Sequence, residues 1–281
     1  MNWSRRKFLV SAAALPALAG LKGLKIGVTD WNLKLAGKLE AVALAKKLDF
    51  EGVQVSLGRQ AEDNKLPLDN DELIGKYLAE SKKQGIRLNG TCLDILHVNY
   101  LKNDKLGQKW VADSIPVTKK LGAKVILLPF FGKGALTSPA EMDYVADALK
   151  DVAPMAQTAG VILGLENTIS AQDNVRILDR IGSKAVLIYY DVGNSTRNGF
   201  DAPREIEWLG TKRICQFHFK DNPGYLGEGK VDMKAVLKSI SHSDFQGYAN
   251  LETDSPSKSI EADMRRNLSY LRRVMVETKH A

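Results

Sequence analysis

Eight times along this chain a short apolar run of strand character is followed by a stretch whose apolar residues recur three and four apart. The runs are L-K-I-G-V-T from Leu24, G-V-Q-V-S-L from Gly52, I-R-L-N-G-T-C from Ile86, K-V-I-L-L-P from Lys124, V-I-L-G-L-E from Val161, V-L-I-Y-Y-D from Val186, I-C-Q-F-H-F from Ile214 and Y-A-N-L-E from Tyr248. The helical stretches between and after them fall near 39–48, 71–84, 105–121, 139–159, 173–181, 202–209, 233–240 and 257–277. Several end at a glycine (Gly85, Gly122, Gly160), and Ser138 stands where a cap is needed. Strand–helix alternation requires a parallel sheet with right-handed crossovers, and eight units can close into a (β/α)8 TIM barrel. Runs such as V-I-L-L and V-L-I-Y suit strands covered on both faces. An open doubly wound sheet is the alternative, but V-T-D-W-N after the first run carries no G-x-G-x-x-G phosphate loop. At 281 residues, with no linker, one α/β domain is expected.

The first residues read differently. S-R-R-K-F-L-V-S-A-A-A-L-P-A-L-A-G is a basic start, an apolar run short of a comfortable bilayer span, and A-L-A before Gly20. This looks like a twin-arginine export signal over 1–19, leaving 20–281 as the barrel domain. The reading implies a periplasmic or otherwise exported protein with no stable membrane span after cleavage, an uncleaved anchor being the alternative. Arg5, Arg6 and Lys7 also carry three of the seven excess positive charges. What remains is a mild excess scattered on helical stretches, which reads as solvated surface and not as a nucleic-acid patch. Cys92 and Cys215 each lie within a strand run, as buried free thiols would.

Four strand runs end on groups that bind metals. The fifth ends at Glu166, the sixth at Asp191, the seventh at His218 and the eighth at Glu252. In a barrel the C-terminal strand ends converge, so consecutive strands would bring three carboxylates and one imidazole together. Such an oxygen-rich set favours Mn²⁺ or Mg²⁺, with Co²⁺ or Zn²⁺ also accommodated. Taken singly, each residue could instead cap a loop or sit satisfied in the core.

The motifs L-E-N at Glu166, Y-Y-D-V-G-N at Asp191, H-F-K-D at His218, G-E-G-K-V-D from Gly227 and L-E-T-D at Glu252 give the chain its resemblance to the xylose isomerase-like superfamily of divalent-metal barrels. The resemblance spans Leu24 to the C-terminus and implies that Glu166, Asp191, His218 and Glu252 hold one divalent metal. It further implies that Glu166 and Glu252 are the acid/base pair of an isomerase or epimerase acting on a keto or aldo sugar through an enediolate. Many such epimerases have a substrate-contacting histidine where this chain has Asn194, an arginine where it offers Lys220, and an acid on the second strand where it has Gln54. Asn194 and Lys220 are thus expected at the substrate, together with His97 after the third strand. For Lys220 an ion pair with Asp221 is the alternative. Trp31 and the Phe130/Phe131 pair could wall a sugar or simply pack. His242 and His280 receive no role.

The partner expected is a small sugar, and a homo-oligomer would fit the superfamily. A lyase or dehydratase of a keto-sugar would begin with the same proton abstraction, and a non-catalytic sugar-binding protein would keep the fold without the chemistry. An endonuclease of this superfamily would need a histidine-rich site, which four histidines do not supply.

Overall fold

In a computed structural model that describes residue 21 and residues 23–278, the eight runs form a closed ring of parallel strands, each paired with its sequence neighbours. The strands are β1 (Leu24–Thr29), β2 (Gly52–Ser56), β3 (Arg87–Cys92), β4 (Val125–Pro129), β5 (Ile162–Glu166), β6 (Val186–Asp191), β7 (Ile214–Phe219) and β8 (Gly247–Leu251). Around them lie α1 (Glu40–Lys47), α2 (Asp71–Gln84), α3 (Lys105–Lys120), α4 (Pro139–Ala159), α5 (Ala171–Ile181), α6 (Val192–Arg197), α7 (Ala202–Leu209), α8 (Met233–His242) and α9 (Ile260–Thr278). The (β/α)8 barrel and its single domain therefore stand as expected.

Local chemistry sets the boundaries. Ser138 and Glu141 form a reciprocal capping box at the start of α4, and Gly85 and Gly160 close α2 and α4 with φ of 62° and 71°. The helix that periodicity misses is α6, whose six residues are too few to show a repeat. It exists because the Asp191 carboxylate accepts the Asn194 N–H at 2.9 Å and so caps a turn directly at the strand end.

Two unlike interiors result. Between sheet and helices lies one apolar layer, in which Val28, Val53, Leu163, Phe217 and Met264 are fully buried. Each such side chain contributes about 1.5–3 kcal/mol by leaving water. Inside the ring a small apolar cluster of Cys92, Val125, Leu127 and Tyr189 is joined by buried amides. Both cysteines are free, but Cys215 is only half-buried, because it is the second residue of β7, near the N-terminal mouth of the ring. The expected export segment at 1–19, and His280, lie outside the described residues. Among the described residues no helix is long and apolar enough to cross a membrane.

Candidate metal and sugar site

The register of the barrel brings the four predicted groups to one height. Glu166 is the last residue of β5, Asp191 pairs directly with His218 across β6 and β7, and Glu252 follows β8 with its N–H bonded to Phe219 O at 3.1 Å. One donor atom from each of Glu166, Asp191, His218 and Glu252 lies within 4.8 Å of the other three. Three carboxylates and an imidazole converging so closely fit a hard divalent cation. Asp191 adds to the fit, because its buried Oδ2 accepts no aligned hydrogen bond although it lies 2.6 Å from Lys220 Nζ.

A polar column beneath the cluster fixes the imidazole. His218 Nε2 lies 2.9 Å from Gln54 Oε1 and its Nδ1 lies 2.8 Å from Glu166 Oε1. Gln54 is in turn held by Tyr189, whose hydroxyl donates to Gln54 Oε1 at 3.0 Å, and Asn250 donates to that hydroxyl at 2.7 Å. Burial lowers the His218 pKa and keeps the ring neutral. A neutral ring has one N–H, and the amide oxygen of Gln54 can only accept, so the proton belongs on Nε2. The Nδ1 lone pair then points into the carboxylate cluster, as a metal ligand requires. Gln54, which stands where the resemblance implies an acid, thus fixes the tautomer of His218.

The two glutamates differ sharply. Burial, reinforced by the charge of Glu252, pushes the Glu166 carboxyl up to about 8. Burial likewise pushes Asp191 up to about 7, against the pull of Lys220. Burial opposes ionisation of Glu252 too, but the Lys220 ammonium, helped by the Trp31 N–H, holds it down at about 2. Its two oxygens accept from Trp31 Nε1 at 3.0 Å and from Lys220 Nζ at 2.5 Å. One glutamate therefore carries a proton at neutral pH while the other is ionised, a division suited to acid and base roles.

The alternative for Lys220, an ion pair with Asp221, is not formed; its ammonium lies against Asp191 and Glu252. Asp221 points away and accepts the backbone N–H groups of Gly227, Gly229 and Val231, each at 3.0 Å. A Cβ at Gly229 would stand 2.1 Å from Asp221 Oδ1, so H-F-K-D and G-E-G-K-V-D are two halves of one loop closure. Lys220 is left for the carboxylates.

Over the cluster opens a cavity of about 610 Å³, bordered by Trp31, Asp94, His97, Phe131, Asn194 and Lys220 among others. His97 and Asn194 are thereby placed at the cleft. His97 stacks on Phe131 at 6.4 Å between ring centroids, and burial lowers its pKa, which favours the uncharged ring. Asn194 is buried, with Oδ1 accepting from Arg197 at 2.8 Å and Nδ2 without a partner. Phe130, by contrast, is 1% exposed and belongs to the core. His242 sits beside Glu207 on α7, on a separate cavity away from the cleft.

Sequence reasoning missed Asp94. It opens a 3₁₀ turn after β3, accepts from Ser56 Oγ at 2.5 Å, and has its pKa raised by burial. Ser56 is anchored through its N–H to Asp30 Oδ2 at 2.9 Å. An acid two residues beyond an expected strand, in L-D-I-L-H, was the available signal.

Known proteins resemble the chain along nearly its whole length. The 2-epi-5-epi-valiolone 7-phosphate 2-epimerase of Actinoplanes sp. is 23% identical over 268 residues, covering 92% of this chain and 97% of that one. A solved L-ribulose 3-epimerase superposes with a TM-score of 0.77 at 16% identity, covering 92% of this chain and 96% of the other. The D-allulose 3-epimerase from Methylomonas sp., solved with D-allulose, gives a TM-score of 0.72 at 14% identity, covering 90% and 97%. The family model described as "Xylose isomerase-like TIM barrel" matches residues 42–274, and with that match the chain belongs to the xylose isomerase-like TIM barrel family.

Proposed function

We propose that this protein is a divalent-metal-dependent epimerase or isomerase of a keto or aldo sugar or sugar derivative. The relatives are sugar epimerases by name, which supports the isomerase class. The observation that carries the reading is the convergence of Glu166, Asp191, His218 and Glu252 within 4.8 Å of one another, with the two glutamates brought in by β5 and β8.

Glu166, Asp191, His218 Nδ1 and Glu252 would hold the metal, which supplies electrophilic stabilisation of negative charge on a substrate carbonyl. Glu252, ionised, removes the proton next to that carbonyl. Glu166, which gives up its proton to hold the metal, takes one from solvent and returns it to the enediolate from the other side. The glutamates stand on strands separated by β6 and β7, which is what inversion at a carbon demands. Asp94, His97 and the aromatic faces of Trp31 and Phe131 receive the remainder of the sugar, since hydroxyls need acceptors and pyranose faces need apolar walls.

The decisive experiment is incubation with free ketoses and 3-keto sugars in deuterated water. Wash-in of deuterium next to the carbonyl is expected, and an intramolecular hydride shift without exchange would overturn the roles of both glutamates. A keto-sugar lyase is the second reading, favoured by the raised pKa of Asp94 across the cleft, which could protonate a leaving group. Unsaturated product in place of an epimer would select it. We further take the enzyme to act outside the cytoplasm, a reading supported by Arg5 and Arg6 ahead of A-L-A. Undiminished export of the Arg5→Lys/Arg6→Lys variant would remove it.

A further inference from the structure

One cation is already built into the cluster. Lys220 Nζ lies 2.6 Å from Asp191 Oδ2 and 2.5 Å from Glu252 Oε2, with its side chain only 12% exposed. Both residues belong to the four-donor set. Carboxylate oxygens bind divalent ions at about 2.0–2.6 Å, so an ion among these donors would stand against the ammonium and share its oxygens. Two cations at that separation, shielded from water by the barrel, repel strongly. The ammonium and the metal therefore cannot both hold their full set of contacts.

The path of the lysine is also specific. Its Cγ lies 2.5 Å from where a Cβ on residue 193 would stand, and its carbonyl oxygen 2.7 Å from the same point. Only glycine in the first turn of α6 lets the stem pass to the carboxylates. Lys220 further borders two cavities at once, the cleft of about 610 Å³ and a neighbouring one of about 460 Å³ between α6 and the loop after β7. Rotation of the four-carbon stem can thus carry the charge out of the cluster without moving backbone.

We propose that Lys220 is an internal counter-ion that competes with the divalent metal for Asp191 and Glu252, and that metal binding turns its ammonium outward to face the substrate. The proposal rests on the metal reading above. It makes Lys220 a positioning residue that sets how tightly the site takes its ion and that reaches the sugar only in the loaded protein. The same chain then neutralises its own buried carboxylates before loading, and presents a hydroxyl donor afterwards.

The test is a calorimetric titration of the whole protein with Mn²⁺, comparing wild type with Lys220→Met and Lys220→Arg. Removing the competing charge while keeping the stem is expected to tighten Mn²⁺ binding by about tenfold or more, as expected for a like charge within a few ångströms. Lys220→Arg, which keeps the charge, should not tighten it. Binding in Lys220→Met that is equal to or weaker than wild type overturns the proposal alone, whereas absence of Mn²⁺ binding in all three proteins overturns the metal reading with it. Should Lys220→Met fail to fold, a crystal structure of the Mn²⁺-loaded wild type decides. The ammonium is expected beyond hydrogen-bond distance of both oxygens, and Mn²⁺ on the four ligands with Nζ still on Asp191 and Glu252 overturns the idea.

Discussion

The two halves of the barrel mouth are built from different materials. Strands β5 to β8 contribute Glu166, Asp191, His218, Lys220 and Glu252, charged or chargeable groups in direct mutual contact. Strands β1 to β4 and their loops contribute Trp31, Asp94, His97 and Phe131, which border the same cleft and, among the described residues, reach the charged groups of the opposite half through the bond of Trp31 to Glu252. Buried charges alter one another's protonation over several ångströms, so the first half behaves as a unit. Groups that mainly meet a ligand act more independently. On the function proposed above, the division sets the proton-transfer groups on one arc of the ring and the aromatic wall on the other, with Gln54 on β2 as the bridge between them.

The largest effects should come from the charged arc. Glu166→Gln and Glu252→Gln are each expected to lower turnover by about 10²- to 10⁴-fold, the range of general acid/base catalysis. Rates measured with saturating Mn²⁺ check this, and a variant within threefold of wild type would break the division of roles.

Acidity should then separate metal binding from folding. Glu166 and Asp191, raised to about 8 and about 7, carry protons below those values and must lose them to hold a metal. Mn²⁺ affinity should therefore fall as pH drops from 8.5 to 6, by about tenfold per unit near pH 7.5 and towards about a hundredfold per unit near pH 6. Stability of the metal-free protein should run the other way. A carboxyl with a raised folded pKa favours folding at low pH, and that contribution is lost as pH rises from about 4 towards 8. Titrations and chemical denaturation at matched pH values measure both, and a pH-independent affinity would remove the assignment of protonated carboxyls.

The bridge itself can be cut. Gln54→Leu removes the acceptor of His218 Nε2–H and should weaken Mn²⁺ binding by about 10- to 100-fold, as loss of ligand-orienting groups does. Binding unchanged by Gln54→Leu would show that the tautomer is fixed elsewhere.

Smallest should be the effects on the recognition arc. Asp94→Asn keeps shape and removes the charge, and is expected to raise KM by about tenfold, the low end of what one hydrogen bond to a charged group is worth, with kcat and metal content retained. A collapse of kcat instead would move Asp94 into the chemistry and strengthen the lyase reading.

Much of this was legible beforehand, for a definable reason. Helices α2, α4 and α7 match their expected ranges because capping residues, glycine stops and a 3.6-residue period are local signals. Short α6 left no period to read, and its cap is a side chain busy with the site. Glu166, Asp191, His218 and Glu252 were legible because a strand of alternating faces must end somewhere, and polar residues at consecutive strand ends are visible in one dimension. Asp94 was not, since nothing local separates a cleft-facing acid from a capping one.

The sequence by itself thus determined the alternation, the barrel and the identity of the groups at its C-terminal rim, all consequences of periodicity within each strand and helix. Tertiary structure alone decided that Lys220 enters the carboxylates while Asp221 closes a loop, that Gln54 orients an imidazole 164 residues away, and that two identical glutamates lie at about 8 and about 2. The physical reason is that burial and charge act through space. Which residue stands beside which, once a ring of eight strands has closed, is fixed by register and not by neighbours in the chain.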